Sequence, residues 1–326
     1  MRLKNGLKQY LMRNKNLDAS RGIAAFIVLL YHLPMVFKIE ESNIFIEILL
    51  YPTKFGEQSV YYFMLLSGFV LTLAFQKIEK IQKYSSWFVW RNTRLLIVYY
   101  TALIMAALLI SNKNLRIVDF THFYIFSNKD IYSGINPPLW SLSVEIIISL
   151  VLFPIIKSTN AKSDLFSILL IFFLIFGSYF TNEWGIKGLC RSAALFIIGI
   201  LICKYIDFLP KLNFKLSFVL VFLWSLLIAV PKLLNLAMYI SLPIILLFFI
   251  QNKRNLLVNR FTLLLGKYSF SLYATHWVVL SVSYSILNSQ NKVIIYFVTI
   301  LLSLSSAVLF GKLVEFPAKK LARAII

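Results

Sequence analysis

The amino-acid sequence predicts an all-α fold, a polytopic integral membrane bundle of about ten transmembrane helices with both termini in the cytoplasm. Three observations carry that expectation. Of 326 residues, 60% are hydrophobic and 14% charged, where a soluble domain has about 25% charged residues. The apolar residues fall in runs of roughly 17–25, the length that crosses ~30 Å of hydrocarbon at 1.5 Å per residue. The basic residues also sort by side: with the N-terminus inside, 24 of the 33 Lys and Arg fall on the inner face, the bias that sets topology in a bilayer.

Hydropathy places the spans at 18–37, 57–76, 90–110, 139–157, 165–181, 189–206, 214–231, 236–251, 268–287 and 292–313. The segment before the first is basic (Arg2, Lys4, Lys8, Arg13, Lys15) and resembles the start of a secretion signal. No small-residue cleavage site follows, so this span is read as retained. Residues 43–51 are too short to cross and are expected to form a short helix that lies at the interface or dips back into the protein. Pro137-Pro138 ends the longest external stretch, which begins near Ser111, and the fourth helix starts after it. The chain reads as one membrane domain, 1–326. It comprises a basic cytoplasmic N-terminus (1–16), a transmembrane core (17–313) and a cytoplasmic tail (314–326). Neither tandem repeats nor two similar halves are evident, which disfavours an inverted-repeat transporter.

A formal charge of +20 would point to nucleic acid in a soluble protein. Here the cations sit in loops between spans, where they hold topology and meet anionic lipid headgroups, so no nucleic-acid partner is expected. Cys190 and Cys203 lie in one apolar run and read as small core residues, not as a disulfide or metal site.

Ionisable groups inside a bilayer cost at least ~2.5–3.5 kcal/mol on insertion scales, so each needs a reason. The first span carries Arg21 and His32. Eleven residues of helix leave them about 20° apart on the wheel and roughly 16 Å apart along the axis. They share a face, with Arg21 at the inner mouth and His32 near mid-membrane. The third span opens with Arg91-Asn92-Thr93-Arg94, an i,i+3 pair of guanidiniums on one face. Such a fork grips phosphate or pyrophosphate, although inner-face anchoring explains it as well. Glu145 stands one and a half turns into the fourth span, a catalytic candidate or an ion-pair member. His276 lies near the middle of the ninth span, and Ser67-Gly68 in the second either allows close helix approach or lines a cavity. Glu315, before Pro317, is placed to neutralise neighbouring lysines. Two buried histidines, a carboxylate and an inner arginine cluster suit a path from a phosphorylated donor to an intramembrane base. A proton-coupled transporter uses the same parts.

Leu17-Asp18-Ala19-Ser20-Arg21-Gly22-Ile23-Ala24-Ala25, running to Tyr31-His32, resembles the opening motif of the acyltransferase family 3 membrane proteins: a basic residue, ten positions, then histidine. Phe63-Met64-Leu65-Leu66-Ser67-Gly68-Phe69 is similar to that family's second-span signature, and Arg91 to Arg94 to its Arg-x-x-Arg. Trp140-Ser141-Leu142-Ser143-Val144-Glu145 resembles its Trp-Ser-Leu-x-x-Glu block, while Ser269 to Trp277 and Val314-Glu315-Phe316-Pro317 resemble its late motifs. Ala19-Ser20 stand where Gly-Leu is usual, Ile97 where a proline often follows, and Ile146 where a second glutamate is frequent.

The resemblance implies about ten helices forming the catalytic unit of an O-acyltransferase in the bacterial cytoplasmic membrane. The donor would be acyl-CoA, usually acetyl-CoA, with no tightly bound cofactor and no metal. The acceptor would be a hydroxyl of a surface polysaccharide or its lipid-linked precursor. It assigns catalysis to His32 with Arg21 as its partner, and Arg91 and Arg94 to the coenzyme A phosphates. Glu145 and Ser67 are added as a catalytic and a donor-binding candidate on the residue pattern. His32 would deprotonate the acceptor hydroxyl or carry the acyl group transiently. Since many relatives carry an extra serine-hydrolase-like domain outside the membrane, this chain is expected to act alone or to pass the group to a separate extracytoplasmic transferase. The alternative is a non-enzymatic glycan exporter or flippase, which would need a wide hydrophilic route. There is no Gly-x-Ser-x-Gly elbow of the soluble hydrolase type.

Overall fold

A computed structural model describes residues 14–37, 51–77, 81–110, 134–152, 161–212, 219, 222–223, 231–251, 257–287 and 292–324. Ten α-helices carry the described chain: α1 (Lys15–Phe37), α2 (Gly56–Lys77), α3 (Ile81–Leu109), α4 (Trp140–Val151), α5 (Ala161–Phe180), α6 (Trp184–Tyr205), α7 (Pro231–Gln251), α8 (Arg260–Leu287), α9 (Lys292–Phe310) and α10 (Phe316–Ala324). A 3-10 turn, Tyr51–Phe55, leads into α2 and another, Pro137–Leu139, into α4. A π turn, Gly311–Glu315, joins α9 to α10. No strand occurs among the described residues. Seven helical stretches are long and apolar enough to cross a membrane, and two shorter apolar ones, Pro137–Val151 and Asn235–Gln251, accompany them. The molecule is a polytopic helical membrane bundle.

Nine of the ten expected spans coincide with described helices. The span at 214–231 and the interfacial segment at 43–51 fall almost wholly outside the described residues. Two helices start well before their hydropathy does. α3 begins at Ile81 and α8 at Arg260. For α8 the cause is a cap: the Thr262 N–H donates to Asn259 Oδ1 (3.0 Å) while the Asn259 N–H donates to Thr262 Oγ1 (3.0 Å). This reciprocal pair satisfies two end groups and fixes the start of the helix independently of its polarity. Asn14 does the same for α1, its Oδ1 accepting from the Asn16 N–H at 2.9 Å. The end of the last span also differs from a free tail, because Gly311 to Ala324 stay helical, continue from α9 and pack against α3. Trp90 Nε1 there donates to the Lys319 carbonyl at 3.0 Å.

Two parallel pairs form the centre. α1 and α8 run in the same direction, Arg21 meeting Ser269 and His32 meeting His276. They touch backbone to backbone, since a Cβ on Gly22 would overlap the Gly266 nitrogen and one on Gly266 the Asp18 carbonyl. α2 and α6 also run together, Glu57 meeting Arg191 at one end and Gln76 meeting Cys203 at the other. Their contact is equally close: a Cβ on Gly68 would strike the Phe196 carbonyl and one on Gly199 the Leu65 carbonyl. Small residues at crossings are how membrane helices gain dispersion energy, because lipid gives no hydrophobic drive for association. α6 and α7 share a direction too: α7 approaches the end of α6 through Gln251, which donates to the Pro210 carbonyl and accepts from the Leu212 N–H. α5 lies at the edge, with Phe172, Phe173, Phe176 and Phe180 all at least 63% exposed. In water this face would be an adhesive patch; in a bilayer it meets acyl chains.

Candidate active site

A cavity of about 450 Å³ opens at the end of the bundle where α1 begins and α9 finishes. Its wall carries five cationic side chains, Arg21, Arg91, Arg94, Lys267 and Lys319, against two carboxylates, Glu145 and Glu315. The single-face arrangement expected of α3 holds: Arg91 and Arg94 both line this one cavity. Ser67 lines it as well, one residue before the glycine that seats α2 on α6. Both readings of Ser67-Gly68 are therefore realised, one by each residue.

Each charged group has a definite anchor. Arg21 Nε donates to Ser269 Oγ (2.9 Å), and its Nη2 to the Gly266 carbonyl (3.1 Å) and the Asp18 carboxylate (3.1 Å). Arg91 Nη2 is paired with Glu145 Oε1, and Ser67 Oγ donates to the same oxygen at 2.6 Å. Arg91 and Glu145 are each 8% exposed, so this is a buried ion pair that ties α3 to α4 with α2 in support. Glu145 thus stands as the counter-charge of Arg91. Glu315 is held by Ser271 Oγ (2.6 Å) and Lys319 Nζ (2.6 Å), the neutralising role expected of it. Lys267 lies over the Tyr268 and Phe316 rings.

Among the described residues, two guanidinium nitrogens of this wall have no hydrogen-bond partner. Arg91 Nη1 and Arg94 Nε are buried and make no hydrogen bond. Arg94 instead lies over the rings of Trp90 (5.7 Å) and Phe270 (5.8 Å). A buried donor left unpaired costs about 1–3 kcal/mol, more when charged. Excess positive charge and unspent donors on one wall make a receptor for a polyanion.

His32 and His276 stand elsewhere. The expected shared face of Arg21 and His32 is the face turned to α8. There His32 Nδ1 lies 3.2 Å from His276 Nε2 and 2.9 Å from the Val28 carbonyl. Both rings are buried, His32 at 7% and His276 at 1% exposure. Tyr31 and Trp277 pack edge-on to His32 at 4.9 and 5.4 Å. Neither histidine lines the basic cavity. Tyr273 does, and its ring is 5.8 Å from that of His276; Phe63, also on the wall, packs against Tyr273 at 5.7 Å. Tyr273 is itself locked, donating to the Pro138 carbonyl (2.7 Å) and accepting from Ser141 Oγ (2.7 Å). The structure brings Arg21, Ser67, Arg91, Arg94 and Glu145 into one cavity and sets His32 beyond its aromatic wall.

Sequence reasoning overlooked Lys267, Lys319 and Tyr273 on that wall. It also overlooked an ion pair at the opposite end, Arg191 with Glu57 at 2.9 Å, the Tyr61 hydroxyl donating to the same carboxylate oxygen at 3.1 Å. Arg191 had a visible signal, a guanidinium inside an apolar run. Lys319 had none, because the π turn before it breaks the helical register from which its face would be read. Cys190 and Cys203 are free thiols, Cys203 fully buried. Among the described residues no three of His, Cys, Asp and Glu gather as metal ligands do.

Comparison with known proteins yields no match among curated proteins and none among solved structures. The family model for the acyltransferase domain of acyltransferase family 3 matches residues 14–312. That interval holds the Arg21–His32 stripe, the α3 fork, Glu145 and His276. With nearly the whole chain matched and the helices fit to span a bilayer, the chain belongs to acyltransferase family 3 and is a membrane acyltransferase.

Proposed function

We propose that the chain transfers an acyl group, acetyl above all, from acyl-CoA bound in the basic cavity to a hydroxyl of a cell-surface polysaccharide or its lipid-linked precursor. The observation that carries the reading is the pair of unpartnered buried donors, Arg91 Nη1 and Arg94 Nε, on a wall with three more cations. Coenzyme A presents two linked phosphates and a third on its ribose, a polyanion of the kind such a wall receives. By the positive-inside rule the cavity end faces the cytoplasm, where acyl-CoA is found. On this reading the protein sits in the bacterial cytoplasmic membrane, with the donor entering from below as a co-substrate.

His32 lies roughly 16 Å along α1 from Arg21, a reach of the order of the pantetheine arm. The thioester would pass the Phe63 and Tyr273 rings to arrive at the imidazole. As the acceptor oxygen attacks the thioester carbon, its proton passes to His32. The C–O bond forms, the C–S bond breaks, and the proton leaves with the thiol of coenzyme A. Arg21 and the α3 fork hold the phosphates, and Glu145 keeps Arg91 in place with its second nitrogen free for the ligand. Surface glycan and a separate extracytoplasmic transferase are the partners this reading expects, besides membrane lipid.

The test uses membrane vesicles of the producing strain, which contain the chain and its endogenous acceptor, and radiolabelled acetyl-CoA. Label should enter the glycan fraction with wild type and not with His32→Ala. Full incorporation by a stably inserted His32→Ala protein would remove the reading.

A further inference from the structure

His276 lies on a different helix from His32 and faces it across the contact between α1 and α8. Backbone carbonyls only accept hydrogen bonds, and this decides where the protons are. His276 Nδ1 lies 2.9 Å from the Tyr273 carbonyl and 3.2 Å from that of Leu272, so Nδ1 carries the hydrogen. Its Nε2 is then the bare nitrogen of the neutral ring. His32 Nδ1 lies 2.9 Å from the Val28 carbonyl and therefore also carries its hydrogen. The same N–H is 3.2 Å from the bare His276 Nε2, so it is shared by two acceptors. A hydrogen on His276 Nε2 would instead set N–H against N–H.

We infer that His276 is the positioning residue of the His32 base: its Nε2 accepts from His32 Nδ1–H and leaves Nε2 of His32 as the lone pair available to a substrate proton. The inference rests on the proposed role of His32. The arrangement performs what a carboxylate does for a catalytic histidine elsewhere, fixing tautomer and ring orientation and sharing the positive charge when Nε2 is protonated. An uncharged acceptor suits this depth, because a carboxylate there would itself need a counter-ion. In the transfer step the acceptor hydroxyl proton arrives at His32 Nε2, and the resulting imidazolium spreads its charge through Nδ1–H toward His276. The proton then departs with the thiol, and His276 returns unchanged.

The decisive measurement is 15N NMR of histidine-labelled full-length protein in nanodiscs. Wild type should show His32 protonated at Nδ1 and bare at Nε2. A hydrogen on His32 Nε2 in the neutral ring would overturn the inference without reference to activity. Two variants extend the test. His276→Leu removes the acceptor and should release His32 into a mixture of tautomers. In the vesicle assay it should lower kcat by roughly 10–100-fold, the usual effect of losing such a partner, with the KM for acetyl-CoA unchanged. His276→Gln keeps a carbonyl acceptor and should restore the Nδ1–H tautomer and most of kcat. A Leu variant whose tautomer and kcat match wild type would refute the role, as would a Gln variant no better than Leu. Activity surviving in His32→Ala counts against the proposed function, whereas the NMR result judges His276 alone.

Discussion

Arg91 on α3 and Glu145 on α4 form an ion pair at the wall of the basic cavity, with Ser67 on α2 donating to the same carboxylate oxygen. Three helices meet at one oxygen atom, and both charged partners are buried. The pair leaves one Arg91 nitrogen unspent. Structural anchoring and ligand reception thus share one guanidinium.

Removing one partner of such a pair strands the other charge, at a cost of about 3–5 kcal/mol. Glu145→Leu is expected to lower the thermal midpoint of the purified protein and its yield in the membrane. The double variant Arg91→Leu with Glu145→Leu should recover much of that loss, yet transfer no label in the vesicle assay. Additive losses of stability in the double-mutant cycle would show that the two residues are not coupled.

The crossing of α1 and α8 gives a second prediction. Any side chain at Gly22 or Gly266 meets backbone atoms, which have little freedom to yield. Gly266→Val should part the helices, separate His32 from His276, and lower thermal stability together with acyl transfer. Gly177 serves as the control, because a Cβ there would meet only the Cys190 sulfur, at 3.9 Å. Gly177→Ala should leave the thermal midpoint unchanged or raised. Equal losses from the two substitutions would mean that the crossing is not specially tight.

Much of this arrangement was legible in the sequence, and the missing parts have physical causes. Arg21 and His32 declared their common face because helical periodicity is rigid over eleven residues. Hydropathy found nine helices but placed the start of α8 at 268 instead of Arg260, because the cap at Asn259 and Thr262 is polar and invisible to a hydrophobic window. Glu145 read equally well as a catalytic carboxylate and as an ion-pair member. Only the approach of α3 to α4 gives it a partner. The Lys319 contribution was illegible for a related reason: a π turn is a local departure from the helical repeat on which pattern reading depends. Tyr273 went unread because its place depends on the approach of α4, where its hydroxyl meets Pro138 and Ser141.

If the cations serve the phosphates of the donor, their loss should matter only when phosphates are present. Arg94→Gln is expected to raise the KM for acetyl-CoA by roughly 10–100-fold, the worth of one charge-assisted hydrogen bond at about 1.5–3 kcal/mol. The same variant should treat acetyl-pantetheine, which lacks phosphate, as wild type does. Steady-state kinetics on both donors in vesicles checks this, and equal impairment with the two would assign Arg94 to something other than phosphate. Raising salt should also weaken wild-type binding of acetyl-CoA more than that of acetyl-pantetheine.

The aromatic wall supplies the last prediction. Phe63 and Tyr273 line the cavity with their rings 5.7 Å apart, and the Tyr273 ring lies 5.8 Å from that of His276. A thioester arm anchored by the α3 fork has to displace or slip between them before the carbonyl carbon reaches His32. Phe63→Trp enlarges one ring and should lower kcat, with the KM for acetyl-CoA little changed, since the phosphates bind on the far side of the obstruction. Phe63→Ala opens the passage and should improve longer acyl-CoA donors relative to acetyl-CoA, because the added methylenes then have room beside Tyr273. Comparing acetyl-, butyryl- and hexanoyl-CoA in the vesicle assay measures this directly. An unchanged chain-length preference in Phe63→Ala, together with an unchanged kcat in Phe63→Trp, would mean that the acyl group takes a route that avoids this wall.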